Sequence, residues 1–291
     1  MSYDIQGRTV LVTGAARGIG AAAAARLHGR GANVALVGLE PERLAAVADG
    51  LGDRCSWHEA DVTDAGSLAD AVAGTVDRFG GVDVAIANAG VHWTGTLDST
   101  PLERIEREIE INLLGVVRTA HAVLPQIVER KGYLLNIASL AAASHAPMMS
   151  AYAASKAGVE AFSDSIRVEL AESGARVGCA YFGVIETDMV RDAYADPAVE
   201  RAKALMSGFV ANPAPLDKAI DAIEDGVLSR RARVWAPRYV GPALLLRGIM
   251  QPLTEIRALR SRAVRESLAI ARARDEADAP ALAGDRAGLP S

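Results

Sequence analysis

Five short apolar runs punctuate the chain: RTVLVTG (8–14), ANVALVG (32–38), VDVAIANAG (82–90), GYLLNIAS (132–139) and RVGCAYFG (176–183). Each is continuously apolar rather than alternating, as a strand covered on both faces requires. Between them, segments 18–30, 41–50, 64–79, 101–130 and 151–173 are Ala-rich with helical periodicity. Regular alternation of buried strands and helices specifies an α/β fold built on a doubly wound parallel sheet. At 291 residues, half of them hydrophobic, the chain can bury one large core, and neither a linker nor a repeat divides it before residue 236. The expected organisation is a single domain over 1–236 with a lid near 187–212. An Arg-rich C-terminal extension over 237–275 and a disordered tail over 276–291 follow.

Composition removes several function classes. A net charge of -5 argues against a nucleic-acid binder, whose footprint would be basic. Cys55 and Cys179 stand far apart and read as thiols of a reducing compartment. His28, His58 and His121 have no metal-ligand spacing, so no metal is expected. The first residues lack a basic segment followed by an apolar run, and no uninterrupted apolar stretch reaches roughly 18 residues, so the expected location is cytoplasmic.

The first run leads into VLVTGAARGIGAAAAARL, with Gly14, Gly18 and Gly20 between strand and helix. The spacing differs from GxGxxG, but the physical demand is the same. A tight turn lets backbone approach a pyrophosphate while a helix start presents free N–H groups and partial positive charge. At the end of the second run, where an acid would bind a ribose 2′-OH, the chain has Gly38 and Leu39, with Glu40 beyond. Arg17 can reach a 2′-phosphate. NAD and NADP therefore both remain open, with a slight lean to NADP.

These features, together with several downstream, resemble the short-chain dehydrogenase/reductases over about residues 5–235. TGAARGIG (13–20) is similar to that family's TGxxxGxG, DVTD (61–64) to its adenine-pocket segment, and ANAG (87–90) to its NNAG, with Ala87 for the first Asn. Asn112 in EINLLG, Ser139 in NIAS, and Tyr152 and Lys156 in YAASK fall where the family keeps its catalytic tetrad. The family's Pro-Gly after the sixth strand is Phe182-Gly183 here. The resemblance implies a Rossmann-like fold and a dinucleotide held by Thr13, Gly14, Arg17, Gly18, Ile19, Gly20, Leu39, Asp61, Val62, Asn88, Ala89, Gly90, Tyr152, Lys156, Gly183, Ile185 and Thr187. It also implies that Asn112 anchors a water relaying protons to Lys156.

Four residues apart on a helix, Tyr152 and Lys156 share a face. Bringing a tyrosine from about 10 to neutrality requires about 4 kcal/mol of preference for phenolate. One ammonium about 4 Å away, at an effective dielectric near 20, supplies roughly that. Tyr152 is then the expected acid/base, with Ser139 holding the substrate oxygen. His145 has no companion group nearby and reads as a pocket wall or surface residue. Trp93, Met148, Met149, Phe182 and Met189 are the expected substrate walls, favouring a small apolar secondary alcohol or ketone. The competing class is a non-catalytic dinucleotide-binding interaction protein; dehydratases and epimerases form a third.

Segments 101–130 and 151–173 are more apolar than one sheet face needs, so a homodimer or homotetramer is expected. Residues 228–274 hold eleven arginines and two glutamates, a local +9 in a chain of -5, so the remainder carries -14. Within them, RYVGPALLLRGIMQPL (238–253) has two readings. It could lie on an anionic membrane surface, or pack on the lid or a neighbouring subunit. Packing is favoured because Pro242 and Pro252 should interrupt a continuous amphipathic helix.

Overall fold

All five side chains of Thr9–Thr13 (β1) are buried, because strands flank it on both edges and helices cover both faces. In a computed structural model that describes residues 3–203 and 211–284, β1 is an interior strand, third in order across a seven-stranded sheet. The others are Asn33–Gly38 (β2), Cys55–Glu59 (β3), Val84–Ala87 (β4), Tyr133–Ile137 (β5), Arg176–Phe182 (β6) and Arg233–Ala236 (β7). Every pairing is parallel, and the order is β3-β2-β1-β4-β5-β6-β7.

Helices Gly18–Gly29 (α1), Pro41–Leu51 (α2), Ala65–Phe79 (α3), Leu102–Ile109 (α4), Gly115–Glu129 (α5) and Ser150–Glu169 (α6) connect the strands through β6. Sheet alternation sorts the core into two layers. Val10, Val12, Val34 and Leu36 face Leu27 of α1 and Leu44 of α2, whereas Leu11, Ala35 and Val37 face Leu68 of α3 and Val123 of α5. Between α4 and α5 a π-helical turn, Glu110–Leu114, inserts without breaking the rod. Leu102–Glu129 is long and apolar enough to cross a membrane by composition, but it packs against α3, α6 and β4.

The structure adds two strands to the five apolar runs. Strand β3 has mixed, half-exposed side chains, and β7 alternates exposed Arg233 and Trp235 with buried Val234 and Ala236. Both are sheet edges, where one-sided cover removes the need for a continuous apolar run.

Beyond β6 come Asp188–Ala195 (α7), Pro197–Ala202 (α8) and Leu216–Ser229 (α9). Of the expected lid, 187–203 and 211–212 are described, and 204–210 lie outside the described residues. After β7 run Val240–Leu245 (α10), Arg247–Arg260 (α11) and Arg262–Gly284 (α12). The last helix corrects the expectation of disorder for 276–284, where an Ala-rich composition extends the helix, while 285–291 lie outside the described residues. Helix α12 packs on α8: Ala198 and Ala271 are fully buried, Ser267 Oγ donates to the Ala198 carbonyl at 2.6 Å, and Arg274 pairs with Asp196. Pro252 sits inside α11 and does not end it, since in an exposed helix the carbonyl it leaves unbonded can turn to water.

Placing a carboxylate at the α8–α12 contact should undock α12 without unfolding the sheet, because a buried unpaired charge is not tolerated there. In Ala271→Glu, amide hydrogen exchange should become fast across 262–284 and stay slow in β1, β4 and β5; protection retained in α12 would refute this packing.

Candidate active site

The turn after β1 has no room for a side chain at Gly14 or Gly20. Gly14 has φ +64°, and a Cβ there would come 2.8 Å from Ala89 Cα; a Cβ on Gly20 would come 2.3 Å from the Gly14 carbonyl oxygen. Thr13 Oγ1 accepts from the N–H groups of Asn88 and Ala89 at 3.0 and 3.2 Å. Asn88 Nδ2 in turn donates to the carbonyls of Thr13 and Gly14 at 3.0 and 3.2 Å. The turns after β1 and β4 thus clamp each other. No side chain caps α1 and no acid occupies its first turn, so its N-terminal amides and partial positive charge face outward. Half-buried Ile19 packs beneath them on the core. At Gly18, φ +57°, an added Cβ would meet nothing nearer than Thr187 Cγ2 at 4.0 Å, which places the residue that opens α7 beside the turn. Ile185, buried, bridges to Ala214 just before this point. A backbone cradle this close suits a pyrophosphate.

At the adenosine end, Leu39 is 57 % exposed, and Arg17 Nε lies 3.6 Å from Glu40 Oε2, with both side chains solvent-accessible. Asp61 Oδ1 accepts from Thr63 N–H at 2.8 Å and Oδ2 from Arg107 Nη2 at 3.1 Å. Burial raises the Asp61 carboxyl, but the Thr63 hydrogen bonds and the Arg107 charge outweigh it and hold the group below its usual value. Neighbouring Val62 is buried against Gly115, where a Cβ would meet Val62 Cγ2 at 2.7 Å.

Asn112, Ser139, Tyr152 and Lys156 converge at the carboxyl ends of β4 and β5. Asn112, in the π-helical turn, is fully buried; its Oδ1 accepts from Val91 N–H and its Nδ2 donates to the Val91 carbonyl, both at 2.8 Å. Gly90 separates it from the lysine: a Cβ there would lie 3.0 Å from Asn112 Oδ1 and 3.6 Å from Lys156 Nζ. Ser139 Oγ accepts from Ala141 N–H at 3.1 Å, donates to the Phe182 carbonyl at 3.3 Å, and lies within hydrogen-bond reach of Tyr152. Lys156 is 4 % exposed and donates to the Ile137 carbonyl at 2.9 Å.

The electrostatics of this cluster correct the expectation that one ammonium brings Tyr152 to neutrality. Loss of solvation pushes the Tyr152 phenol above its ordinary value; the Ser139 hydrogen bond opposes this in part, and the Glu108 carboxylate adds to it. Lys156 Nζ stands 5.7 Å from the ring centroid, engaged with Ile137, and burial brings its own pKa down to about 8.

Sequence reasoning missed two members of the site. Glu108 is 3 % exposed, pairs with His92 Nδ1 at 3.0 Å and accepts from Trp93 N–H at 3.3 Å. The His92 ring lies 4.8 Å from the Tyr152 ring, centroid to centroid. Sixteen residues separate the pair in sequence, which hides it. The available signal was that Glu108 stands one turn before Asn112 and so shares its inward face.

The substrate side divides. Trp93, Met148 and Met149 line a narrow space beside Glu108 and Ala151. It adjoins an open cleft of about 380 Å³ between the 95–98 loop and α12, with Met148 and Leu268 as apolar walls. Phe182 corrects the sequence reading: its carbonyl serves Ser139, but its side chain packs in the core with Ile185 and Ile220, on the opposite face of β6. Met189 is 39 % exposed on α7, outside these spaces. His145 lies on an exposed loop, its N–H donating to Gln251. A Cβ on Gly183 would meet the Tyr239 hydroxyl at 2.5 Å, so only glycine fits after Phe182.

Comparison with known proteins agrees with this geometry. The short chain dehydrogenase family matches residues 8–198. A 2-(R)-hydroxypropyl-CoM dehydrogenase of Xanthobacter autotrophicus is 36 % identical over 197 residues, covering 63 % of this chain and 77 % of that protein. A D-beta-hydroxybutyrate dehydrogenase of Rhizobium meliloti is 34 % identical over 201 residues, covering 67 % and 78 %. Among solved structures, an alcohol dehydrogenase from the archaeon Thermococcus sibiricus, complexed with 5-hydroxy-NADP, has a TM-score of 0.64 at 26 % identity, covering 75 % of this chain and 89 % of that one.

The depressed pKa of Lys156 makes it a cost to the cofactor-free fold. Below pH 8 both folded and unfolded chains carry the ammonium, and the folded one bears the whole burial penalty. Between pH 8 and the ordinary value of 10.5 only the unfolded chain keeps the proton, so the penalty fades as pH rises. Lys156→Met should therefore stabilise the free protein by roughly 1–3 kcal/mol at pH 7, less at pH 10, while removing activity. Denaturant melts at the two pH values check this, and a variant less stable than the parent at pH 7 would refute it.

Proposed function

The chain belongs to the short chain dehydrogenase family, oxidoreductases that use NAD or NADP, and on that premise we propose that it interconverts an apolar secondary alcohol and its ketone with Tyr152 as the acid/base. The observation that carries this reading is the convergence of Asn112, Ser139, Tyr152 and Lys156 on the edge of the glycine cradle. A protein that only binds a dinucleotide has no need of that set. When bound, the dinucleotide supplies the site that gives or takes hydride. The amides of α1 would hold its phosphates over the turns that Thr13 and Asn88 clamp together, with Asp61 toward its adenine end.

Ser139 Oγ, positioned by Ala141 N–H, holds the substrate oxygen within reach of Tyr152. Tyr152 passes its proton to that oxygen in reduction and takes it back in oxidation. Lys156, released from Ile137, places its ammonium near the phenolate, and Asn112 anchors the relay that returns the proton. The apolar character of the substrate follows from Trp93, Met148, Met149 and Leu268 as walls. NADP is the preferred cofactor in this reading, because exposed Arg17 can leave Glu40 for a 2′-phosphate. Assembly is as a homodimer or homotetramer through α5, with the π-helical turn before it, and α6, where Leu114 of the turn and Val168 of α6 are 43 % and 76 % exposed.

Tyr152→Phe should abolish turnover of a panel of apolar secondary alcohols and ketones, followed by nicotinamide absorbance, while dinucleotide affinity stays within about threefold. Substantial activity in that variant would overturn the role. Arg17→Ala should weaken NADP by roughly 1–3 kcal/mol and leave NAD nearly unchanged by calorimetry; equal losses would shift the discrimination to Glu40.

A further inference from the structure

Helix α11 presents its apolar face away from the body. None of its residues is buried, and Ile249, Met250, Leu253, Ile256 and Leu259 are 65, 44, 58, 46 and 73 % exposed. Just before it, Leu245 is 83 % exposed. Its attachments come from the other side. Arg247 pairs at 2.6 Å with Glu160, a buried carboxylate that also accepts from the Tyr181 hydroxyl, and Gln251 bonds both the N–H and the carbonyl of His145. At about 100° per residue, Arg247, Gln251 and Ala258 share one face, and Ile249, Leu253 and Ile256 lie opposite. This inverts the ordinary arrangement, in which the apolar stripe of a surface helix faces the core. A contiguous row of large aliphatics exceeds the single exposed residues normal on a soluble surface and marks an interaction site.

We propose that α10 and α11 form a docking surface for an anionic membrane, with α11 lying in the interfacial plane and its Ile249–Leu253–Ile256 face among the acyl chains. Charge selects this occupant. Arg238, Arg257, Arg260 and Arg265 make no ion pair among the described residues, and Glu255 is the one acid of α11. Anionic headgroups complement that set, while the remainder of the chain, at -14 outside 228–274, is repelled and orients the molecule. A second copy docked symmetrically through α11 would set Arg257 and Arg260 against their own copies. Trp235, 43 % exposed and packed on Gly241 of α10, adds an aromatic ring of the kind favoured at headgroup depth. Fourteen residues are too few to span a bilayer, so the helix lies on it rather than through it. This surface lies outside the cofactor cradle and stands independently of the reaction proposed above.

The test is flotation of the full chain with phosphatidylcholine vesicles containing about one third phosphatidylglycerol, at low and high salt. The parent should float with anionic vesicles, and high salt should weaken its binding. Leu253→Glu/Ile256→Glu should lose at least about tenfold in binding, with dinucleotide affinity and melting temperature unchanged because both side chains are exposed. Arg257→Ala and Arg260→Ala should each lose about fivefold, an independent readout should the glutamate variant misfold. Three results would overturn the proposal: a parent that does not float, a glutamate variant that floats like the parent, or a fall in solution mass by light scattering at unchanged vesicle binding. The last would assign the face to a second copy.

Discussion

The turn after β1 and the turn after β4 touch with no room for a side chain between them, and the rest of the site is built outward from that contact. Strand order opens a crevice there, because the chain leaves β1 for β2 on one side and leaves β4 for β5 on the other, so α1 and α5 lie on opposite faces of the sheet. Gly14 against Ala89, with Thr13 and Asn88 bonded across, closes the floor of that crevice. Two residues on, Gly90 leaves room for Asn112 on one side and Lys156 on the other, and Val91 bonds both ends of the Asn112 amide. The π-helical turn then has a physical purpose. It lets the buried amide meet Val91 while α4 and α5 continue as packed helices.

Geometry is ready in the free protein, but electrostatics are not. Burial opposes charge on Tyr152 and on Lys156 alike, and Glu108 disfavours the phenolate further. The site thus holds its acid in the neutral form, with its lysine engaged by a backbone carbonyl. Such an arrangement lowers stability for the sake of activity, a common trade at functional sites. An oxidised dinucleotide held in the cradle would add positive charge near Tyr152, which would favour the phenolate.

Most of the fold was legible because internal strands must be apolar on both faces. VLVT and LVG could be read directly, whereas CSWHE at one edge and RVWA at the other could not, since each has one open face. Helix spacing and motif singled out four candidate positions, Asn112, Ser139, Tyr152 and Lys156, which lie together beside Gly90 and the end of β5. Their electrostatics were not legible, because a four-residue spacing sets neighbouring Cβ atoms and leaves the direction of a long lysine open. Phe182 was assigned to the wrong face and Glu108 passed over for one reason: the face a side chain takes depends on neighbours far away in sequence. In the extension, Pro242 and Pro252 were expected to break the helix, yet the break falls at Leu246 and Pro252 lies within α11. Without burial along that segment, the proline had no packed neighbour to disrupt.

In the proposed reaction Tyr152 stands in place but would acquire its chemistry only when a dinucleotide fills the cradle. Carbon-13 NMR of tyrosine labelled at Cζ, with Tyr152→Phe used for assignment, measures this directly across a pH titration. Tyr152 should titrate above its ordinary value of 10.0 in the free protein. It should move down by about two units or more with oxidised dinucleotide bound. A phenol already near neutrality in the free protein, or one that cofactor leaves unmoved, would contradict it.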